Sequence, residues 1–361
     1  MLLYTKDCSE IKHIIKKLSP DQKIARERFL DFFSNISKFN IRKTCPFCGS
    51  SHFLTISEIE GRAALPCDIV ICKKCDGCYR RDVFTPESSE FYYKQLSHIM
   101  RGKNNDVDSI EKLFLERVNL YAYRRYHFIQ RFVRLDKDRD AILEIGCNDG
   151  ANLYPWKKNG YKVCGIEIDS RMAAFARSKG FRIIEGDFLK SNVALLSPRL
   201  IILSHMLEHV LDLDLFFKKL KEILKKDTLL FIEVPGIRLQ AVGSSLKYFD
   251  IEHNFNFDLN SLRRTLKNYS FKMLYGDEYI YSLWSSEEYK YEVPHAKRWK
   301  SAKSLKLLIF AFLMKVFSLT KSKDLYSFFL KAKKTNFISK IYNTIQLEYF
   351  KSLYSYLESD T

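Results

Sequence analysis

The stretch Ala141-Ile-Leu-Glu-Ile-Gly-Cys-Asn-Asp-Gly150, followed by Gly165-Ile-Glu-Ile-Asp169, narrows the fold of this chain more than any other feature. The first piece reads as a buried strand running into a glycine-containing turn. The second reads as a strand ending in a carboxylate. A strand, a tight turn, a helix and an acid after the next strand is how α/β proteins hold a nucleoside. The turn lets backbone approach the ligand, and the acid takes the ribose hydroxyls. Glu167 stands 21 residues after Gly146, where such an acid is expected. The spacing Gly146-x-x-x-Gly150 departs from the dinucleotide form G-x-G-x-x-G, with Asn148, a residue that tolerates left-handed backbone, between the glycines.

Apolar runs alternate with amphipathic stretches beyond this turn. They predict strands near 141–145, 162–168, 181–184, 199–204, 228–234, 271–276 and 278–284, and helices near 150–159, 170–179, 212–226 and 259–268. Such alternation requires an α/β doubly wound sheet of seven strands, Rossmann-like, with ligands at the carboxyl ends of its strands. The last two strands, close in sequence, read as an antiparallel hairpin.

The rest of the chain divides by pattern. Residues 1–40 read as helical, with Ile24, Phe29, Leu30, Phe33 and Ile36 at helical spacing. Residues 41–84 hold Cys45-Pro-Phe-Cys48 and Cys72-Lys-Lys-Cys75, separated by 23 residues of hairpin-like sequence (Phe53 to Ile59, Leu65 to Ile71). Two such knuckles make a four-thiolate zinc ribbon, a structural Zn2+ site without an open coordination position. Cys67 and Cys78 are left over, and Cys78 is an alternative to Cys75. Nine cysteines with no apolar leader after Met1 fit a reducing, cytoplasmic setting. Residues 85–137 form a helical connector whose apolar stripe, Ile110 to Phe132, is interleaved with arginines. It is expected to pack the ribbon onto the α/β domain at 138–290, an RNA-facing helix being the alternative.

Net charge is +17, and residues 296–361 carry 13 Lys and Arg against 4 Asp and Glu. The tail, 291–361, is expected to be a basic amphipathic helical segment. Its apolar run from Ser304 to Leu319 is too short to span a membrane but suits an interfacial helix, so 297–340 is a candidate for peripheral contact with the inner membrane face. A core or dimer helix is the other reading.

Taken together, Glu144-x-Gly146-x-Asn148-x-Gly150, Glu167 and Gly186-Asp187-Phe188 resemble the successive motifs of class I S-adenosylmethionine (SAM) methyltransferases over about residues 120–285. That resemblance implies SAM as cofactor. Glu144, Gly146, Asp149 and Gly150 would meet its methionine end, Glu167 its ribose, and Ile168 and Asp187 its adenine, with Cys147, Asn148, Phe188 and Ser204 as further cofactor contacts. Ser204-His205-Met-Leu-Glu208-His209-Val, after the fourth strand, resembles a segment of methyltransferases of ubiquinone and glycan pathways. There Glu208 and His209 either cap the next element or orient substrate, and a divalent metal is a further reading. Glu252-His253-Asn254-Phe255, after the fifth strand, resembles part of the His-Glu-His-x-x-x-Phe segment of nucleotide-sugar C-methyltransferases. Those proteins also carry an N-terminal four-Cys module and an Asn-Asp-Gly turn. This chain has Ile251 in place of the first His and Asp250 in place of the preceding Tyr.

The expected activity is therefore methyl transfer from SAM to a sugar: a nucleotide sugar, surface polysaccharide or glycolipid. A sugar hydroxyl is a poor nucleophile near neutral pH, so a histidine base is useful. His253 is the first candidate and His205 or His209 the next. An RNA methyltransferase, drawing on the ribbon and the basic surface, and a SAM-binding or membrane-docking scaffold without turnover are the alternatives.

Overall fold

The computed structural model describes residues 8–102, 107–193, 197–237, 249–277 and 281–286. The expected tail helix and membrane contact at 297–340 lie outside them, as do residues 278–280 of the predicted last strand. Among the described residues no helix is long and apolar enough to cross a membrane.

The N-terminal segment opens with α1 (Cys8–Lys17) and α2 (Pro20–Phe32). Ser19 and Gln22 cap α2 reciprocally, the Ser19 hydroxyl accepting from the Gln22 amide at 3.2 Å and the Gln22 side chain from the Ser19 amide at 3.0 Å. Phe29 and Phe33 bury against Phe84 and Tyr92. The segment is not helical to its end. Residues Phe39–Ile41 form β1, which pairs antiparallel with β5 (Asp82–Phe84), because Phe39 gains a place beside Phe33 and Phe84. Between them run β2 (Phe53–Ile59), β3 (Pro66–Cys72) and β4 (Cys78–Arg80), an antiparallel set. Helices α3 (Pro86–Gln95) and α4 (Ser97–Met100) follow.

The predicted connector is α5 (Val107–Arg117) and α6 (Tyr123–Phe132), joined by a π turn at Val118–Ala122. Its apolar stripe faces the α/β domain, where Ile110, Phe114, Val118, Ile129 and Phe132 share a core with Ile142, Trp156, Ala173 and Ile202. The connector was expected to carry the Cys-rich module as well. Instead that module reaches the opposite face of the same sheet, where Phe47, Val70 and Tyr79 join a core with Leu143, Ile145, Ile201 and Leu203.

The central sheet comprises β6 (Ala141–Ile145), β7 (Lys162–Glu167), β8 (Arg182–Glu185), β9 (Leu200–Ser204), β10 (Leu229–Glu233), β12 (Phe271–Gly276) and β13 (Tyr281–Ser286), in the order β12-β13-β10-β9-β6-β7-β8. All pairings are parallel except those of β13, which is antiparallel to both neighbours. Helices α7 (Tyr154–Lys158), α8 (Ser170–Ser178), α9 (Leu213–Lys221) and α10 (Leu259–Asn268) cover it. Helix bounds differ from expectation: α9 ends at Lys221 where a helix to 226 is predicted, and α7 begins at Tyr154, after a 3-10 turn at Ala151–Leu153.

The unpredicted element is β11 (Phe255–Asn256). It lies in the loop that follows β10, yet it adds to the Cys-rich sheet, Phe255 opposite Tyr79 and Asn256 opposite Cys78. That sheet therefore runs β11-β4-β3-β2.

Candidate active site

The cofactor turn after β6 is built from left-handed residues. Gly146, Asn148 and Gly150 have φ of 74°, 51° and 80°. Asn adopts this conformation more readily than other side-chain-bearing residues. At Gly150 a Cβ would stand 2.8 Å from the Phe181 ring, so only glycine closes the turn. Glu167, at the end of β7, ties the turn to its own loop. One oxygen accepts from the Asn148 amide and the other from the Asp169 amide, both at 2.7 Å. Ile168 beside it is 61% exposed, an apolar surface open to a planar ring. Asp187 caps the turn after β8, accepting from the Leu189 amide at 2.9 Å.

Two residues expected here have side chains facing elsewhere. Cys147 is buried against Gly165, where a Cβ would stand 2.3 Å from its sulfur, so its side chain belongs to the core. Phe188 is buried beside Phe216, ring centroids 5.3 Å apart, on the core side of its strand end. Conversely, the connector supplies residues that sequence reading missed. Arg117 donates to Asn148 Oδ1 at 2.7 Å and to Asp149 Oδ2 at 2.5 Å. With Ser97, His98, Arg101 and Arg171 it lines a cleft over the turn.

Glu144, on β6, is buried and accepts from Asn152 Nδ2 at 2.6 Å. Its second oxygen has no hydrogen-bond partner among the described residues. Burial pushes its carboxyl up to about 8, from an ordinary 4.5. Between those two values the folded chain holds a proton that the unfolded chain has lost. Stability should therefore fall as pH rises from 5 toward 8, by up to about 1.4 kcal/mol per pH unit from this group. Thermal melts of Glu144→Gln should lack that slope; an unchanged slope would place the proton elsewhere.

At the carboxyl end of β9 and β10 a second cluster forms. Ser204 Oγ donates to Glu233 Oε2 at 2.9 Å, and Arg125 forks onto both Glu233 oxygens. Burial would raise the Glu233 carboxyl, but His205 and Arg125 hold it down at about 2. His205 has φ 52°, uncommon for a side-chain-bearing residue. Its ring lies 3.4 Å from Glu208 Oε1 and 3.5 Å from Glu233 Oε1. Burial lowers its pKa, yet these carboxylates outweigh burial and raise it to about 10. His205 is thus a cation near neutral pH, which does not suit the base role expected of it.

His209 and His253 are different. Their rings meet edge to face at 5.0 Å, and burial lowers both to about 4, so both are neutral. His209 Nδ1 lies 3.0 Å from the Glu252 carbonyl. A carbonyl only accepts, so Nδ1 carries the proton, with the Tyr93 hydroxyl 3.3 Å away as its second acceptor, and Nε2 is bare. Nε2 lies 3.8 Å from Glu208 Oε1. Glu208 is 1% exposed, and neither of its oxygens reaches hydrogen-bond geometry with a described residue. Glu252 itself is turned away, its carboxylate buried among Arg62, Arg101 and Tyr92.

The thiols of Cys45, Cys48, Cys72 and Cys75 gather with one another, Cys45 to Cys75 at 3.6 Å and Cys48 to Cys72 at 3.5 Å. A tetrahedral zinc with Zn–S bonds near 2.3 Å separates its sulfurs by about 3.8 Å, so the donor set fits that ion. Cys67 and Cys78 are buried apart from it. This module grips the His253 loop. Arg42 donates to the carbonyls of Asn254 and Leu211 at 3.1 and 2.9 Å, and the Arg80 amide to Asn254 at 3.1 Å. Phe47 packs on Phe255 and Phe257. In turn, Asn254 donates to the backbone carbonyls of Glu208 and His209.

Residues 114–275 match the family described as a methyltransferase domain. A C-methyltransferase of Streptomyces niveus, NovU, is 22% identical over 222 residues, 60% of this chain and 49% of that protein. A ubiquinone biosynthesis O-methyltransferase of Chelativorans sp. (strain BNC1) is 28% identical over 111 residues, 29% of this chain and 44% of that protein. The chain spans about half the length of the curated relatives it matches. Among solved structures, a SAM dependent methyltransferase from Archaeoglobus fulgidus is 19% identical and covers 57% of this chain and 90% of its own, with a TM-score of 0.38. Streptomyces venezuelae DesVI is 13% identical and covers 50% of this chain and 96% of its own, also with a TM-score of 0.38.

Proposed function

We propose that this protein, whose residues 114–275 match a methyltransferase domain, is a class I SAM-dependent methyltransferase that transfers the SAM methyl group to a sugar acceptor, a nucleotide sugar or a glycan under construction. The observation that carries the reading is the meeting of two sites at one sheet edge. The cradle of Gly146, Asn148, Gly150 and Glu167 holds the donor. Glu208, His209 and His253 stand beyond β9, where a proton must leave as the acceptor attacks. Removal of that proton falls to this group, in which His253 was expected to act as base. Zinc at the four thiols is part of the reading, as a structural ion that steadies the loop bearing His253. The C-methyltransferase resemblance of the Asn-Asp-Gly turn and the Glu252-His253 segment supports a sugar.

The test is transfer from radiolabelled SAM to panels of nucleotide sugars, polysaccharide and RNA. Turnover of a sugar acceptor that falls about 100-fold or more in His253→Ala, with SAM affinity kept, is expected. Labelling of RNA with no sugar acceptor turned over would sink the assignment. SAM binding without release of S-adenosylhomocysteine in any panel would point to a scaffold.

A further inference from the structure

The acceptor edge contains an unexplained group. Glu208 is buried and neither of its carboxylate oxygens is in hydrogen-bond geometry among the described residues; the nearest cation is the His205 ring, 3.4 Å from Oε1, which Glu233 shares. One shared imidazolium at ion-pair distance leaves a buried carboxylate short of the hydrogen bonds it needs, and natural structures rarely keep one so. Its oxygens face nitrogen atoms. Ligand atoms of Glu208, His209 and His253 all lie within 4.8 Å of one another, and Glu208 Oε1 is 3.8 Å from His209 Nε2.

We propose that Glu208, His209 and His253 bind a divalent cation, with coordination positions left open toward the acceptor. Bonds near 2.1 Å would place neighbouring ligand atoms about 3.0–3.4 Å apart, so side-chain shifts of about an ångström close the observed group on an ion. The surroundings are those of a metal ligand set. His209 is fixed by its Nδ1 proton on the Glu252 carbonyl, which presents Nε2. The Asn254 amide holds the Glu208 carbonyl at 2.8 Å, and the Asn254 side chain holds that of His209 at 2.9 Å. Two imidazoles and one carboxylate suit a borderline first-row ion such as Mn2+, Fe2+ or Zn2+ better than Ca2+. The site is separate from the four thiols, which leave no open position.

The use of the cation rests on the methyl-transfer reading above; its binding does not. An acceptor hydroxyl ligating the ion loses its proton to water, and its lone pair then attacks the methyl carbon. The C–S bond breaks with its electrons going to sulfur, leaving neutral S-adenosylhomocysteine. The cation replaces a general base, so His253 serves as ligand.

Mn2+ is the probe, because it takes oxygen and imidazole donors and leaves thiolates alone. Titration of the zinc-loaded full chain, followed by electron paramagnetic resonance, should show one tight Mn2+ per chain. Glu208→Gln and His253→Asn should weaken it about 100-fold, with unchanged circular dichroism and SAM affinity. His253→Asn matters most here, since its partly exposed site tolerates substitution even if the buried Glu208 does not. Absence of a tight Mn2+ site in the wild type overturns the proposal, as does equal affinity in a folded His253→Asn. Full transfer in buffer freed of cations other than the thiolate zinc also overturns it, while leaving the reaction standing. Tight Mn2+ binding with no acceptor turned over supports the site and counts against the reaction.

Discussion

Replacing Cys72 and Cys75 with serine is expected to abolish methyl transfer while SAM affinity stays near that of the wild type. In zinc-finger peptides a structural zinc contributes about 10–16 kcal/mol to folding, and loss of such an ion from the four thiols would free the knuckles from which β4 starts. What is lost with it is specific. β11 is a two-residue strand whose only described partner strand is β4, and β4 begins three residues after Cys75. Arg42 and Arg80 hold the carbonyls of Leu211, Ile251 and Asn254 from the same module. Once it unfolds, His253 is held against His209, among the described residues, only by the loop's own bonds to Glu208 and His209 and by Arg101 and Tyr92 on Glu252. The donor cradle depends on other contacts: Glu167 on the turn amides and Arg117 on Asn148 and Asp149, from the opposite face of the sheet. Amide exchange should therefore rise over 249–258 and change little over 144–150. Joint loss of SAM binding and transfer would make the module a global stabiliser, and retained transfer would cut the link altogether.

That link was not legible in the sequence. The central strands β6, β9 and β10 announced themselves because strands buried on both faces are apolar runs, and which face each side chain takes alternates along them. Ile142 and Ile202 go to the connector's core, while Leu143 and Leu203 go to that of the Cys-rich module. A two-residue strand has no period. Its pairing is set by a distant hairpin that only the folded chain brings near. The cofactor turn was legible because left-handed backbone restricts residue choice at Gly146, Asn148 and Gly150. Side-chain direction just past a strand end was not, which is why Cys147 and Phe188 read as cofactor contacts.

The connector arginines carried a readable signal. Arg117 and Arg125 recur along an apolar stripe, where burial demands a counter-charge. The domain's acids Asp149 and Glu233 were the available partners. The acceptor edge lies between these cases. Its histidines were legible as a group, but their protonation was not, because it depends on how many carboxylates each ring meets. His205 meets two. His209 meets one carboxylate at 3.8 Å and a carbonyl, and stays neutral.

Glu167→Ala should reduce affinity for SAM and for S-adenosylhomocysteine equally, by about 100-fold or more. Two hydrogen bonds to a charged carboxylate, each worth about 1.5–3 kcal/mol, account for a loss of that size. The carboxylate has a double role. In the structure its oxygens accept from the Asn148 and Asp169 amides, so it sets the distance between the two loops that flank the donor. Each oxygen has further lone pairs for a ribose diol, and the ribose is common to both ligands, which is why they should weaken together. Glu167→Gln separates the roles. An amide keeps one acceptor oxygen and turns an N–H group against a backbone N–H, so it should lose affinity nearly as strongly as alanine. Calorimetry checks this directly, with Mn2+ binding at Glu208, His209 and His253 as the control that should not move. Affinity retained in both variants would show that the ribose is held elsewhere and that Glu167 is only a brace for the turn. Loss confined to SAM would instead implicate the sulfonium charge, which the buried Glu167 carboxylate would then be stabilising at a distance.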